Sequence, residues 1–309
     1  MQIQQLSYFV TVARVRNFTR AADAMGVAQP TLSKQIRVLE NSLGSALFVR
    51  DRGGVSLTAA GEALLPHARR IVIDVENAQR AVQEVAGMQR GRIRLGATPS
   101  LCDGLLADAL HRFRNRYPGI DVAVEEGGSR DLTRSLGRGQ LDLALVIVPL
   151  TDDERDLETT PILRESLVLA SPAEQHDLPA RMAVGQLRDR PMVMFRDGYD
   201  LRETTLNACH AAGFEPTFSV EGGEMNAVLR FVEAGLGVAV VPSMVLGTRP
   251  KLRATLLERP RLERTIALAH RRADILPQTA IAFKRDLIEH LAALGPDDLG
   301  EDLELLPVP

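Results

Sequence analysis

The stretch that most constrains the fold of this chain is residues 17–43, whose sequence is NFTRAADAMGVAQPTLSKQIRVLENSL. It predicts two short helices joined by a tight turn. Asn17 is a suitable N-cap for the first helix, and Gly26 interrupts the helical pattern where the chain must turn. Pro30 suits the first turn of the second helix, because its missing N–H would have no helical partner there.

The second of these helices has two distinct faces. Apolar residues recur along it at helical spacing, which predicts one buried stripe formed by Leu32, Ile36, Leu39 and Leu43. The opposite face carries polar groups of the types that bind base edges and phosphates in the major groove of DNA. With Pro30 at its start, this face gives the candidate DNA-binding residues Gln29, Pro30, Thr31, Ser33, Lys34 and Arg37. Any small helical hairpin is also apolar inside and polar outside, so a hairpin that binds nothing stays open as an alternative.

Three segments of residues 1–66 resemble the winged helix-turn-helix domain of LysR-type transcriptional regulators: LSYFVTVARVRNFTRAA, QPTLSKQIRVLENSLGSALFVR and LTAAGEALL. A weaker resemblance continues to about Arg285 and so covers nearly the whole chain. One departure is Ala28, where the family often places a Ser that could cap the recognition helix. Losing such a cap costs about 0.5–2 kcal/mol of local stability and leaves the groove face unchanged.

A hairpin follows the helix-turn-helix. Residues 46–57 contain two β-prone segments around a Gly-Gly turn, which is typical of a β-hairpin. The resemblance implies that this hairpin is the wing, and that Arg50 and Arg52 lie beside the DNA backbone or in the minor groove. The alternative is that both arginines belong to a solvated turn.

Residues 58–88 predict one long helix that Thr58 can cap. Apolar residues alternate along it at spacings of four and three, the heptad pattern of a coiled-coil dimer. They are Leu64, Ala68, Ile71, Val75, Ala78, Val82 and Val85. The alternative is an amphipathic helix that packs only on its own domain. A dimer would place two recognition helices on one duplex and would favour an inverted-repeat site.

Charge and composition agree with this organisation. Residues 1–90 carry eleven Lys and Arg against seven Asp and Glu, whereas the rest carries twenty-six against thirty-three. A net positive N-terminal part followed by a net negative remainder fits a protein whose N-terminal part binds nucleic acid. The sequence shows no secretion signal and no apolar run long enough to span a bilayer, so we expect a cytoplasmic protein without a membrane partner.

The chain lacks the usual signatures of an enzyme or a metal site. It has no Gly-rich phosphate loop after a strand, no G-x-S-x-G elbow and no His-bearing metal motif. Asp152, Asp153 and Glu154 read as an exposed acidic loop. Cys102 and Cys209 lie far apart in the sequence, which favours two reduced thiols over the disulfide switch of the peroxide-sensing branch of the resembled family. We therefore expect neither catalysis, nor a cofactor, nor a bound metal.

From residue 91 onward, strands alternate with helices, which predicts an α/β fold with helices covering the sheets. We expect two α/β lobes joined by crossovers near Pro161 and Arg264, an arrangement that resembles periplasmic solute-binding proteins. The predicted domains are a DNA-binding domain (residues 1–58), a linker and dimerisation helix (59–90), lobe I in two segments (91–161 and 265–295), lobe II (162–264), and an acidic, loosely packed tail (296–309).

Ligands of open α/β sheets bind beyond the carboxyl ends of the strands. Those ends give the candidate effector-binding residues Thr98, Ser100, Leu101, Gly128, Ser129, Val148, Phe195, Arg202 and Gly223. Thr98 and Ser100 stand at the start of a helix, whose free N–H groups favour an anion. The open alternatives are that Ser100 only caps the helix, that Arg202 pairs with Glu203 or another acid, and that Phe195 belongs to the core.

These observations predict a LysR-type transcriptional regulator that responds to a small anionic metabolite bound between two lobes. The implied partners are promoter DNA, RNA polymerase and further copies of the chain, as a homodimer or homotetramer. The competing class is a solute-binding or scaffold protein whose N-terminal helices only mediate association.

Overall fold

The computed structural model describes residues 1–51, 54–85, 91–150, 156–272, 276–294 and 302–308. The chain divides into two compact units, one built on residues 1–87 and one comprising most of the remaining chain. No helix within the described ranges has a segment both long enough and apolar enough to cross a membrane.

The N-terminal unit contains the predicted helix-turn-helix. Its first three helices are α1 (Ile3–Val15), α2 (Phe18–Ala24) and α3 (Gln29–Leu43). The Asn17 side chain accepts a hydrogen bond from the backbone N–H of Arg20 at 3.0 Å, which confirms its role as the cap of α2. Gly26 adopts a positive φ of 64° in the turn, where a residue with a side chain would be strained.

The core of this unit is built around the inner face of α3. Leu32, Ile36 and Leu39 are almost completely buried, as the periodicity predicts. The prediction was wrong for Leu43, which is 41% exposed. Leu43 is the last residue of α3 and lies outside the apolar cluster that α1 and α2 form with the rest of the helix.

The predicted hairpin consists of β1 (Phe48–Asp51) and β2 (Gly54–Leu57), paired antiparallel. The Glu40 carboxylate accepts hydrogen bonds from the backbone N–H groups of Leu47, at 2.8 Å, and Phe48, at 3.4 Å. These bonds tie the end of α3 to the start of the hairpin. The ring of Phe48 completes the core, with its centroid 5.3 Å from that of Phe9.

The long helix α4 (Ala59–Val85) begins as predicted, because the Thr58 hydroxyl accepts a hydrogen bond from the Gly61 N–H at 3.0 Å. Its apolar seam divides into two parts. Ala68 is fully buried, and the neighbouring seam residues Leu64 and Ile71 pack against the N-terminal core. Further along, the seam becomes exposed, and Val82 is 74% exposed. The first half of the seam therefore packs on its own domain, while Ala78 and Val82 of the second half are exposed and open to a partner. The side chain of the last seam residue, Val85, lies outside the described residues.

The second unit is an α/β structure. Its strands are β3 (Gly91–Ala97), β4 (Ile120–Glu126), β5 (Leu143–Val148), β6 (Leu157–Pro172), β7 (Arg181–Ala183), β8 (Met192–Phe195), β9 (Phe218–Gly223), β10 (Ala239–Pro242), β11 (Leu252–Glu258), β12 (Glu263–Arg271) and β13 (Leu303–Leu305). Its helices are α5 (Pro99–Leu101), a π-helical turn (Cys102–Leu106), α6 (Ala107–Arg116), α7 (Ser129–Gly137), α8 (Asp200–Ala211), α9 (Met225–Glu233) and α10 (Gln278–Ala293), with short 3-10 helices at Val184–Leu187 and Ser243–Leu246.

Among the described strands, nine form one mixed sheet in which β6 is shared by both lobes. Seven follow the order β4-β3-β5-β12-β6-β11-β7, and β10 and β13 also pair with β6. The strand β6 pairs with β12 as far as Ser166 and with β10 from Leu167 onward. The crossover expected near Pro161 is thus a continuous strand, and the change of lobe falls between Ser166 and Leu167.

Each lobe has its own apolar core. The lobe I core gathers Ile93, Phe113 and Phe283 from β3, α6 and α10. The lobe II core gathers residues of β6, β8, α9 and β10. In this unit β8 and β9 form a separate parallel pair. The bilobal α/β fold expected from the alternation of strands and helices is therefore confirmed.

The prediction of a loosely packed tail was wrong for residues 302–308. Leu303–Leu305 form β13, which pairs antiparallel with residues 163–165 of β6. Leu303, Leu305 and Val308 also pack against the lobe I core. This pairing satisfies the backbone groups on an edge of β6, which would otherwise lack partners.

We expect Gly61→Ala to destabilise the N-terminal unit. A Cβ at this position would lie 2.2 Å from the Leu47 carbonyl oxygen and 2.9 Å from a Leu57 methyl carbon. Such overpacking costs about 1–3 kcal/mol. Thermal unfolding of the full chain measures the effect. Gly137→Ala is the control, since a Cβ there meets no atom within 4 Å. Equal unfolding temperatures for the two variants would contradict the prediction.

Candidate functional site

The outer face of α3 presents the side chains that the sequence analysis proposes for DNA contact. Pro30, Thr31, Lys34 and Arg37 are exposed. Gln29 and Ser33 are half-buried, and their side chains are joined by a hydrogen bond of 2.8 Å from Gln29 Nε2 to Ser33 Oγ. One helical turn separates Gln29 from Ser33 and Ser33 from Arg37, so these three residues share a stripe.

Lys34 and Arg37 carry charges that no side chain in the described part of the chain balances. Neither forms an ion pair or hydrogen bond with any residue that the structure describes. Exposed cations of this kind are available to displace counterions from a phosphate backbone. In the hairpin, Arg50 lies on β1 opposite Val55, but its side chain and the whole of Arg52 fall outside the described residues.

A cleft between the two lobes of the second unit forms the other candidate site. It holds about 670 Å³ of empty space, part of it open to solvent. Three of the residues proposed from the sequence, Thr98, Ser100 and Gly128, line it. The remaining lining residues are Pro99, Arg130, Asp131, Ile147, Leu167, Arg196, Gly198, Tyr199, Asp200, Leu201, Thr204 and Arg264.

Thr98 and Ser100 meet at the start of the helix formed by α5, the π-helical turn and α6. Both side chains are buried, and their hydroxyl oxygens lie 3.3 Å apart. Thr98 is the N-cap residue, but its hydroxyl makes no cap bond to the described helix backbone. Ser100 lies inside the helix and is not the cap. Both hydroxyls and the helix N-terminus can therefore serve an anion in the cleft.

Arg264 is a cleft residue that sequence reasoning missed. It lies near the start of β12 and is only 9% exposed. Its Nε donates a hydrogen bond of 2.8 Å to Oε2 of the fully buried Glu165. Nη2 is also buried and forms an ion pair with the same oxygen at 2.7 Å. The available signal was an arginine directly before an apolar strand segment, which the sequence analysis used only to place a crossover.

Glu165 fixes the position of this arginine. Its second oxygen, Oε1, accepts a hydrogen bond of 2.8 Å from the Met244 N–H at the start of a 3-10 helix. The side chain of Met244 in turn occupies the space beside Gly104, where a Cβ would come within 2.6 Å of its sulfur. Arg264 is therefore held by a buried carboxylate that is itself anchored to lobe II.

An aromatic pair forms another part of the cleft wall. The ring of Tyr199 stacks on that of Phe195, with centroids 4.8 Å apart and planes at 4°. Tyr199 lines the cleft, whereas Phe195 is fully buried behind it in the lobe II core. Burial raises the pKa of the Tyr199 phenol, which therefore stays neutral at physiological pH.

The structure does not bring the other proposed residues to the cleft lining. Leu101 is in the lobe I core, and the Ser129 hydroxyl accepts a hydrogen bond of 3.2 Å from the Ile147 N–H. Val148 borders an adjoining depression. Gly223 lies on β9, where a Cβ would be 3.0 Å from a Val228 methyl carbon.

Arg202 also lies away from the cleft lining, where acids other than Glu203 balance its charge. Its Nη2 donates a hydrogen bond of 2.7 Å to Glu221, and its Nε lies 3.0 Å from a carboxylate oxygen of Asp197. Glu203 instead faces Arg130. The position of Arg202 thus matches the ion-pair alternative left open by the sequence.

The two cysteines are free thiols. The pKa of both Cys102 and Cys209 is raised to about 11, by burial in each case and, for Cys102, also by the nearby charges of Glu126 and Asp103. Both thiols are therefore protonated near neutral pH, which makes them poor nucleophiles. In the described part of the chain, no group of three or more His, Cys, Asp or Glu side chains could hold a metal ion. The acidic run at residues 152–154 lies outside that part.

Two family models match this chain. One is described as the bacterial regulatory helix-turn-helix protein, lysR family, and covers residues 3–62. The other is the LysR substrate binding domain and covers residues 86–292. The HTH-type transcriptional regulator BudR of Raoultella terrigena is 32% identical over 278 residues, which span 88% of this chain and 95% of BudR.

Solved structures show the same architecture. Full-length OxyR from Pseudomonas aeruginosa matches with a TM-score of 0.73 at 25% identity, covering 93% of this chain and 94% of OxyR. CbnR, solved in complex with its target DNA, matches with a TM-score of 0.70 at 23% identity over 94% and 99% of the two chains, which supports the fold. These matches do not support the alternative of a solute-binding or scaffold protein. The chain belongs to the LysR family of transcriptional regulators, with an N-terminal DNA-binding helix-turn-helix domain and a C-terminal effector-binding domain.

Proposed function

We propose that this regulator binds an inverted-repeat promoter site as a dimer, and that a small carboxylate in the interlobe cleft controls its output. The observation that carries the ligand assignment is Arg264, a largely buried arginine that lines the cleft beside the hydroxyls of Thr98 and Ser100. A carboxylate is the ligand group that arginine N–H donors bind best.

The proposed DNA binding rests on the exposed face of α3. Lys34 and Arg37 are exposed and balanced by no described carboxylate, and Thr31 lies exposed beside them. A helix of this kind fits the major groove, where its polar stripe reaches base edges and its cations reach phosphates. We place Gln29, Pro30 and Ser33 at the same interface, and Arg50 and Arg52 in the wing contact.

The proposed dimer rests on the exposed part of the α4 seam. Val82 and Ala78 continue the heptad pattern but are exposed in the single chain. A second copy of the helix would bury this stripe. A two-fold dimer presents two recognition helices to half-sites about one helical turn apart, roughly 34 Å. The role as a transcriptional regulator also implies RNA polymerase as a partner and a cytoplasmic location, with the chain acting as a dimer or as a tetramer of two dimers.

The proposed ligand binding rests on groups that converge in the cleft. Arg264 and the hydroxyls of Thr98 and Ser100 supply hydrogen-bond donors at a helix N-terminus. These groups come from lobe I, whereas Tyr199 and Leu201 come from lobe II. A ligand that touches both lobes favours one of their relative positions, and this population shift would change the spacing of the DNA-binding domains. The role proposed for the cleft is regulatory, not catalytic.

Arg37→Ala should weaken specific DNA binding by about 1–3 kcal/mol if Arg37 reads a base, with little change in folding. Fluorescence anisotropy on a duplex from the promoter region of the regulator's own gene, measured over a range of salt concentrations, tests this. Arg114→Ala removes an exposed arginine from the other unit and is the charge-matched control. Affinity equal to that of the parent would remove Arg37 from the groove.

Val82→Glu should dissociate the dimer without unfolding the chain, because Val82 is exposed in the single chain and would be buried only in the coiled coil. Sedimentation velocity measures the change in mass. Ala63→Glu places the same charge at an exposed position of the same helix that is not part of the seam, so it should leave the dimer intact. A dimeric Val82→Glu variant would show that the subunits associate elsewhere.

Ser100→Ala should weaken carboxylate binding about two- to tenfold, the effect of losing one neutral hydrogen bond. The measurement is the rise in melting temperature of the full chain with acetate, propionate or benzoate. Ser219→Ala removes a hydroxyl that bonds to the Met192 carbonyl away from the cleft, and should leave the rise unchanged. If the two variants respond alike, Ser100 does not contact the ligand.

A further inference from the structure

The arginines that line the interlobe cleft are already balanced by carboxylates. Arg264 lies 2.7 Å from Glu165, and Arg196 lies 2.7 Å from Glu224. Arg130 lies 3.5 Å from Glu203. The cleft therefore offers directed N–H donors but little net positive charge. A ligand that brought only negative charge would gain less here than the number of arginines suggests.

The two acidic residues of the lining differ in their surroundings. Asp131 is paired with Arg134 at 2.9 Å on the exposed side of α7. Asp200 is half-buried, and its carboxylate has no ion pair or hydrogen bond with another residue in the part of the chain that the structure describes. As the first residue of α8 it benefits from the helix dipole, but it still presents an unbalanced negative charge to the cleft.

Asp200 of lobe II and Arg264 of lobe I line the same space. Both residues line the cleft and also the depression that adjoins it, together with Ile147, Arg130 and Thr204. Lobe I thus offers N–H donors for a carboxylate, and lobe II offers a carboxylate for a cation.

We propose that the ligand is a small zwitterion of the amino-acid type. Its carboxylate binds Arg264 with the hydroxyls of Thr98 and Ser100, and its ammonium group binds Asp200. This inference rests on the proposed function, since it assigns a second charged group to the ligand of the same cleft. A zwitterion adds no net charge to a site whose arginines are balanced, and it supplies the cation that Asp200 lacks.

The rest of the lining fits an apolar side chain on such a ligand. Leu167, Leu201 and Ile147 contribute aliphatic surface, and Tyr199 contributes the face or edge of a ring backed by Phe195. Apolar walls with a few fixed polar groups are typical of small-molecule sites. The cleft therefore favours an aliphatic or aromatic amino acid over a strongly polar one.

Three matched sets of probes test the proposal on the full-length protein. The first set is L-alanine, L-leucine and L-phenylalanine. The second contains their analogues without the amino group: propionate, 4-methylpentanoate and 3-phenylpropionate. The third contains the amines that lack the carboxylate: ethylamine, 3-methylbutylamine and 2-phenylethylamine. Binding is measured by thermal shift and confirmed by isothermal titration calorimetry. At least one amino acid should bind about tenfold or more tightly than both of its analogues.

Asp200→Asn should remove this preference and leave the amino acid and its deaminated analogue with similar affinities. Asp108→Asn is the matched control, because Asp108 is also a helical aspartate but does not line the cleft. That control should keep the preference of the parent protein.

The outcomes separate the two proposals. Deaminated acids that bind as tightly as the amino acids would overturn the zwitterion and leave the carboxylate site standing. An unchanged preference in Asp200→Asn would also overturn the role of Asp200. If no member of the three sets binds the parent protein, both proposals fail.

Discussion

The effector-binding unit depends on one strand, β6, which serves both lobes and carries a buried charge at the point of change. Glu165 is fully buried there and is stabilised by Arg264 and by the Met244 N–H. Removing one partner of such a buried pair typically destabilises a protein by about 3–5 kcal/mol, because the other charge is left without compensation. The pair therefore fixes where the cleft arginine lies. It also joins a lobe I strand to the 3-10 helix Ser243–Leu246 of lobe II.

The two units use charge in opposite ways. In the second unit most arginines near the cleft are paired, so their role is to donate hydrogen bonds in fixed directions. On α3, Lys34 and Arg37 have no balancing partner among the described residues and remain available to an external polyanion. This contrast follows from the ligands proposed for each site. Exposed, unbalanced charge strengthens binding to a phosphate backbone, whereas fixed donor geometry strengthens binding of a small ligand in a partly buried cleft.

The helix α4 of the DNA-binding unit has a buried part and an exposed part. Its first turns are part of the unit's own core, in which Ala68 is completely buried. Its later turns carry the same apolar period into solvent, as the exposure of Val82 shows. One heptad pattern thus contains both the contact of α4 with its own domain and the exposed stripe that we assign to a second copy of the chain. An isolated exposed apolar residue would need no explanation, but a continued heptad does.

The sequence by itself determined the local features: the caps at Asn17 and Thr58, the turn at Gly26, the buried stripe of α3 and the alternation of strands and helices. These depend on residues a few positions apart, so periodicity and capping chemistry suffice to predict them. It also located the cleft through Thr98 and Ser100, which lie at a strand end. Only the tertiary structure decided that Arg264 faces Glu165 across 99 residues of chain, that Tyr199 and not Phe195 lines the cleft, and that the tail pairs with β6. Strand register and the pairing of buried charges depend on contacts between distant segments, and a local pattern contains no information about which distant segment will be the partner.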